Sequence, residues 1–123
     1  MADEAGPLAA VDHFTKRIAG ADLNVAIGLS RLGFRVGYIS RVGADAFGRY
    51  VLDTLAGEGI DASHVSIDTR YPTGFQLKSK ETDGRDPSVE YFRKGSAASH
   101  LSIDDFDAEY VSGARHLHLT GVG

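Results

Sequence analysis

The sequence has no cysteine, only three prolines, and no apolar run approaching the roughly 20 residues that a bilayer-spanning helix needs. Without cysteine there is neither a disulfide framework nor a thiolate zinc site, a composition that suits a reducing cytoplasm. The opening residues Met1-Ala2-Asp3-Glu4 are acidic and lack the basic-then-apolar layout of a secretory signal. A basic excess is missing too: 13 Lys and Arg stand against 17 Asp and Glu, a formal net charge of -4. That removes the positive footprint of nucleic-acid binders, so an anionic ligand must be met by local cations. What remains is 42% hydrophobic and 24% charged over 123 residues, the make-up of a soluble chain that buries a core. On arithmetic alone the length fits one small domain.

Glycine is unevenly spread, with eight of the 15 between Gly20 and Gly59, where the chain bends tightly or lets another group come close. Before that segment, Val11 to Ile18 alternates loosely between apolar and polar residues and reads as a strand. From Ala21 or Asp22 to Leu32 the apolar residues recur near helical spacing, with Asp22 as the expected N-cap and Gly33 as the residue past the end. Arg35 to Val42 follows as a mostly apolar strand suited to a parallel sheet, then Phe47 to Ala56 as an amphipathic helix stopped by Gly57-Glu58-Gly59. Strand, helix, strand, helix is an α/β rhythm.

After Ile60 the period becomes two, over Val65 to Thr69, Thr73 to Lys80 and Ser88 to Lys94, with Asp83-Gly84-Arg85-Asp86-Pro87 as a turn. These segments are expected to form an antiparallel unit. Ile103 to Tyr110 predicts a short helix and His116 to Gly123 a buried strand.

The general catalytic motifs are absent: no Gly-x-x-x-x-Gly-Lys-Ser/Thr, no Gly-x-Gly-x-x-Gly, no His-Glu-x-x-His and no Gly-x-Ser-x-Gly. His116 and His118 would share one face of a strand, but no third metal ligand accompanies them, and alternation with Leu117 and Leu119 fits a strand with one polar face. In the Ser88 to Lys94 strand, Val89, Tyr91 and Arg93 share a face. If Phe92 packs with Phe75 and Leu77, then Gln76 and Lys78 lie on the face of Tyr91 and Arg93. A phenol and a guanidinium two residues apart can grip a small anion, since a guanidinium matches a carboxylate bidentately; a solvated sheet face would carry the same pattern. Asn24, near a helix start just after Ala19-Gly20, either faces a polyhydroxylated ligand together with Gly20 or helps to cap its own helix.

The stretch Gly20-Ala21-Asp22-Leu23-Asn24-Val25-Ala26-Ile27-Gly28-Leu29-Ser30-Arg31-Leu32-Gly33, followed by Arg41-Val42-Gly43-Ala44-Asp45-Ala46-Phe47-Gly48, resembles the N-terminal signature of the ribokinase-like (PfkB) sugar kinases. Asn24, Ala26, Gly33 and Gly43 fall where that signature places its asparagine, small residue and two glycines. One extra residue before the asparagine, and an acidic residue two before it, resemble the 2-keto-3-deoxygluconate kinase branch. A second block, Pro72-Thr73-Gly74 with Tyr91-Phe92-Arg93-Lys94-Gly95-Ser96-Ala97-Ala98-Ser99, resembles the Tyr-x-Arg-Lys-Gly-Ser-Ala segment of those kinases.

The resemblance implies an α/β fold: residues 1–123 would be the N-terminal portion of a parallel sheet flanked by helices, with a small β-sheet lid over the sugar. Lid strands are expected at approximately 11–18 and 65–94, and the α/β part at approximately 21–60 and 100–123. It also implies transfer of the γ-phosphoryl of ATP, with Mg²⁺, to a sugar hydroxyl, for this branch the 6-hydroxyl of 2-keto-3-deoxygluconate. By motif, Gly20 and Asn24 would hold sugar oxygens and Tyr91 and Arg93 the carboxylate end. Gln76 stands where some relatives have an aromatic residue facing the ligand. Fructose, ribose and 5-dehydro-2-deoxygluconate are the alternative sugars; a non-catalytic sugar-binding or dimerisation module is the alternative class, and a homodimer through the lid is a further expectation.

In such kinases the base and the anion hole come from a later Gly-Ala-Gly-Asp kind of segment. None stands among these residues, so the catalytic Asp and the ATP site are expected beyond residue 123, and this polypeptide alone is expected to be inactive. The opening strand of the family is expected to be shortened or absent. The length that suggested a complete domain becomes, with the motifs, the first part of a larger one.

Overall fold

In the computed structural model, residues 1–121 are described. Two layers build it, an α/β layer holding the core and a β-hairpin layer beside it. Helix α1, Ala21–Arg31, buries Leu23 and Ala26, three residues apart on one face. Its N-cap is Gly20 and not Asp22. At φ 133° Gly20 occupies backbone space closed to other residues, which lets the chain enter the helix one step earlier. Asp22 lies instead in the first turn, where its charge faces the positive helix end. The other end matches expectation: the Gly33 amide donates to Ser30 O (3.0 Å) and the Phe34 amide to Leu29 O (3.1 Å), the paired bonds of a Schellman motif.

Strand β1, Ser40–Gly43, is followed by helix α2, Ala46–Gly57, and strand β2, Val65–Asp68. β1 and β2 pair in parallel, with Ser40 opposite Val65 and Gly43 opposite Asp68. This corrects the expectation that Val65 to Thr69 belongs to an antiparallel unit. A half-exposed edge strand alternates in sequence whichever way its neighbour runs, so period two did not carry the direction of pairing. Arg35 to Ile39, expected as strand, makes among the described residues a single isolated bridge, Gly37–Asp61. The core between sheet and helices is Leu23, Ala26, Val42, Leu55, Ile60 and Val65, with Ile18, Val36, Val51 and Leu52 against it.

Strands β3, Phe75–Lys78, and β4, Val89–Phe92, form the expected antiparallel hairpin, in the register Phe75–Phe92, Gln76–Tyr91, Leu77–Glu90 and Lys78–Val89. Past its end, buried Ser79 accepts the Ser88 amide (2.8 Å) and donates to Glu81 (2.7 Å). Along β3 runs the chain start: the Ala2 amide donates to Lys78 O (2.8 Å), and Ala5 bridges Lys80 in parallel. On its other side Ala2 bridges Phe14. The expected strand over Val11 to Ile18 is reduced to that single bridge. Beyond Thr15 the chain leaves for the α/β layer, where Lys16 Nζ lies 4.1 Å from the Tyr50 ring centre and Ile18 packs on the core, so the ladder cannot continue.

Ile103 to Tyr110, expected as one helix, forms two pieces: a 3₁₀ turn at Ile103–Asp105 and helix α3, Ala108–Ser112. Each has its own cap, Ser102 and Asp107. Asp105 is also drawn to Arg41 of β1, whose Nε donates to both carboxylate oxygens at 2.8 Å, and this cross-link ends the first turn. Residues 116–121 of the expected strand His116 to Gly123 form no strand, and its last two residues lie outside the described ones. A strand needs a neighbour to satisfy its backbone, and none pairs with 116–121 among the described residues.

Candidate functional site

The sugar-facing residues expected from sequence fall into two groups on different layers. Gly20 and Asn24 form the first. The Asn24 amide donates to Gly20 O at 2.9 Å, the first bond of α1. With Gly20 as N-cap, Asn24 is the fourth helical residue, one turn too far along for its side chain to serve the cap. Of the two readings open in the sequence, the capping role is therefore removed. The Asn24 side chain is exposed beside an exposed glycine whose backbone only glycine adopts freely.

Gln76, Tyr91 and Arg93 form the second group. Gln76 stands opposite Tyr91 in the ladder. The Arg93 guanidinium lies over the Tyr91 ring, 4.6 Å from its centre. Tyr91 is 57% exposed and Arg93 is exposed. Arg41 and Arg70 are each engaged by carboxylates, but Arg93 has no carboxylate partner among the described residues. Stacking on the phenol holds a planar fork of donors on the polar face of the sheet, the arrangement that accepts a carboxylate bidentately. The opposite face is aromatic, with Phe75 and Phe92 stacked at 4.9 Å and Phe47 of α2 5.5 Å from Phe75.

Two residues that sequence reasoning missed join the layers. Asp45 caps α2, its Oδ1 accepting the Gly48 amide at 2.8 Å, a role readable from an Asp before a helical run. Its Oδ2 accepts the Thr73 amide at 2.8 Å, and Thr73 Oγ1 in turn accepts the Gly43 amide at 2.8 Å. Burial pushes the Asp45 carboxyl up, but the Thr73 and Gly48 amides outweigh it and hold the group below its ordinary value. A Cβ on Gly48 would lie 2.1 Å from Gly43 O and 3.0 Å from Thr73 Oγ1, so this glycine is what allows the close approach. Thr73 is 28 residues from Asp45, and no local pattern in the sequence links them.

A separate, part-buried ion cluster cross-links the α/β layer. Arg41 donates to Asp105 at 2.8 Å and to Asp68 at 3.5 Å. The Arg41 guanidinium holds the Asp105 carboxyl below its ordinary value. These charges satisfy one another and leave little to offer a ligand.

Two shallow clefts, of about 310 and 260 Å³, lie elsewhere; one is at the hairpin turn beside Ser79 and Arg85 and one along β2, and neither includes an expected site residue. Among the described residues no group of three or more His, Asp or Glu side chains could hold a metal ion. His116 and His118 are exposed, and His118 Nε2 is 3.8 Å from Asp22 Oδ1. No helix among the described residues is long and apolar enough to cross a membrane.

Comparison with known proteins gives a consistent match. Residues 1–123 match the family model described as pfkB family carbohydrate kinase. A 2-dehydro-3-deoxygluconokinase of Bacillus subtilis is 48% identical over 122 residues, covering 98% of this chain and 37% of that protein. Among solved structures, a PfkB protein from Polaromonas sp. JS666 superposes with a TM-score of 0.94 at 58% identity, covering 98% of this chain and 40% of the other. An uncharacterized sugar kinase from Pyrococcus horikoshii in complex with ATP gives a TM-score of 0.85 at 32% identity, covering 93% of this chain and 37% of the other. The chain thus spans less than half the length of each of these relatives.

Proposed function

The chain belongs to the pfkB family of carbohydrate kinases, and from that membership we propose that it is the sugar-binding portion of an ATP-dependent kinase acting on 2-keto-3-deoxygluconate (2-dehydro-3-deoxygluconate). The observation that carries the reading is Arg93, stacked on Tyr91 and without a carboxylate partner among the described residues, in a chain whose net charge is -4. A sugar acid supplies the missing anion. Gly20 and Asn24 meet its hydroxyls, Tyr91 and Arg93 its carboxylate, and Gln76 lies beside Tyr91 on the same face. The name of the 48% identical relative supports the acid substrate, and the ATP complex of a structural neighbour supports the phosphoryl donor.

The kinase acts with Mg²⁺ in the cytoplasm on this reading. No residue of the chain is assigned to the metal, because no acidic cluster fitting one is present among the described residues. The role of this portion is to bind and orient the sugar; the base and the ATP site lie in the remainder of the kinase, and the polypeptide 1–123 alone is inactive. The exposed aromatic face of Phe47, Phe75 and Phe92 is the surface through which two copies associate as a homodimer.

The test is a titration of the chain with 2-keto-3-deoxygluconate against fructose, ribose and 5-dehydro-2-deoxygluconate, joined to an ADP-release assay. Preferential binding of 2-keto-3-deoxygluconate without turnover is expected. Turnover by residues 1–123 would overturn the assignment of the chemistry to other residues, and equal affinity for neutral sugars would overturn the carboxylate role of Arg93.

A further inference from the structure

Resting on that reading, we infer that Asp45 and Thr73 form a clasp that positions Arg93 for the ligand carboxylate, making Asp45 a positioning residue for the sugar site although it stands on the other layer.

The contacts run without a gap. Asp45 Oδ2 accepts the Thr73 amide, and Thr73 Oγ1 accepts the Gly43 amide, so the chain entering β3 is held to the end of β1 and the start of α2 by reciprocal bonds. The next residue, Gly74, is pressed against the chain just past β4: a Cβ there would lie 3.0 Å from Arg93 Cβ and 3.1 Å from Ser96 Cβ. On the far side the Ala97 amide donates to Pro72 O at 2.7 Å, and Ser96 and Ala97 are buried. Pro72-Thr73-Gly74 is therefore gripped between Asp45 and the chain that follows Arg93. A hairpin attached only along its edge could rock about that edge. The clasp stops the rocking at the end where Arg93 sits, and in a close-packed contact such as Gly74 against Arg93 a shift of the one is carried to the other. The α2 cap uses Oδ1 alone, so the second carboxylate oxygen serves the hairpin rather than the helix.

That division of labour provides the test. Asp45→Asn keeps one acceptor oxygen, and asparagine caps a helix about as well as aspartate, so α2 retains its cap while the bond to Thr73 is lost. Thr73→Val removes the acceptor for Gly43 and the hydroxyl beside the Asp45 carboxylate while leaving the Thr73 amide bond to Asp45, and Thr73→Ser restores the hydroxyl. Calorimetric titration of the full chain with 2-keto-3-deoxygluconate should show Arg93→Ala weaker by roughly 10- to 150-fold, the range for a lost charged hydrogen bond. Asp45→Asn and Thr73→Val should each be weaker by about tenfold, as for residues coupled to a site without touching its ligand. Thr73→Ser should bind like the parent. The double variant Asp45→Asn/Arg93→Ala should bind no worse than Arg93→Ala, since the clasp acts through Arg93. Amide exchange over Val89–Phe92 should quicken in Asp45→Asn without ligand.

If Arg93→Ala loses affinity while Asp45→Asn and Thr73→Val do not, the clasp has no positioning role and the sugar-acid reading stands. Strictly additive losses in the double variant, or unchanged exchange in β4, overturn the inference as well. If Arg93→Ala itself binds normally, the reading beneath it fails first.

Discussion

The two layers of the molecule are held by different means. In the α/β layer six side chains from four elements and one loop close on one another, with Leu55 fully buried at their centre. The hairpin has no comparable interior: Phe75, Tyr91 and Phe92 are all 43 to 57% exposed. It is kept in place by backbone bonds to the chain start, by Phe47 against Phe75, and by the clasp at Asp45. A layer stabilised by burial resists local opening, whereas one stabilised at its margins is only as rigid as its attachments. The expected ligand groups divide in the same way, with Asn24 on the rigid layer and Tyr91 and Arg93 on the attached one. A sugar lying between them would be met by one surface held by its core and one held by its attachments.

The largest expected effect tests the rigid layer. Leu55→Ala leaves a cavity at the centre of the core and should destabilise the chain by about 2 to 5 kcal/mol in chemical denaturation; a loss below 1 kcal/mol would mean that the layer does not depend on this core. On the hairpin, Arg93→Ala should weaken binding of the sugar acid by about 1.5 to 3 kcal/mol while moving stability by no more than about 0.5 kcal/mol, as for a surface substitution. An equal effect on both would erase the contrast between the layers. Phe75→Ala removes the ring stacked on Phe92 and facing Phe47, and should cost about 0.5 to 1.5 kcal/mol beyond the lost area. The same variant should shift a homodimer toward monomer in sedimentation if the aromatic face is the contact.

The smallest effect lies in pH. Burial, followed by the hydrogen bond to Asp61 at 2.7 Å, pushes the Tyr110 phenol up to about 12 from its ordinary 10.0. A raised folded-state value means that the folded chain keeps a proton which the unfolded chain releases. The contribution is therefore complete below pH 10 and is lost as pH rises toward 12. Tyr110→Phe should flatten the decline of thermal stability over that window; an unchanged decline would remove this contact from the account.

Local chemistry was legible in the sequence wherever one element decided the outcome. The ends of α1 at Gly33 and of α2 at Gly57, the hairpin turn around Gly84, and the sharing of a face by Gln76, Tyr91 and Arg93 all follow from periodicity and from residue types that favour one backbone geometry. Apart from the N-cap of α1, which Gly20 takes in place of Asp22, the misreadings occur where a distant partner intervened. Val65–Asp68 alternates like an antiparallel strand and pairs in parallel. Val11 to Ile18 alternates like a strand and is divided between two layers. Ile103 to Tyr110 has the spacing of one helix and is broken where Asp105 turns to Arg41.

By itself, then, the sequence determined the period, the glycine stops that end the helices and the chemical character of each face, because these depend on neighbours within a few residues. Only the tertiary structure decided which strand lies beside which, and that Asp45 reaches across to Thr73. Such contacts join residues tens of positions apart, and whether they form depends on how the whole chain closes around its core, which no local pattern of residues encodes.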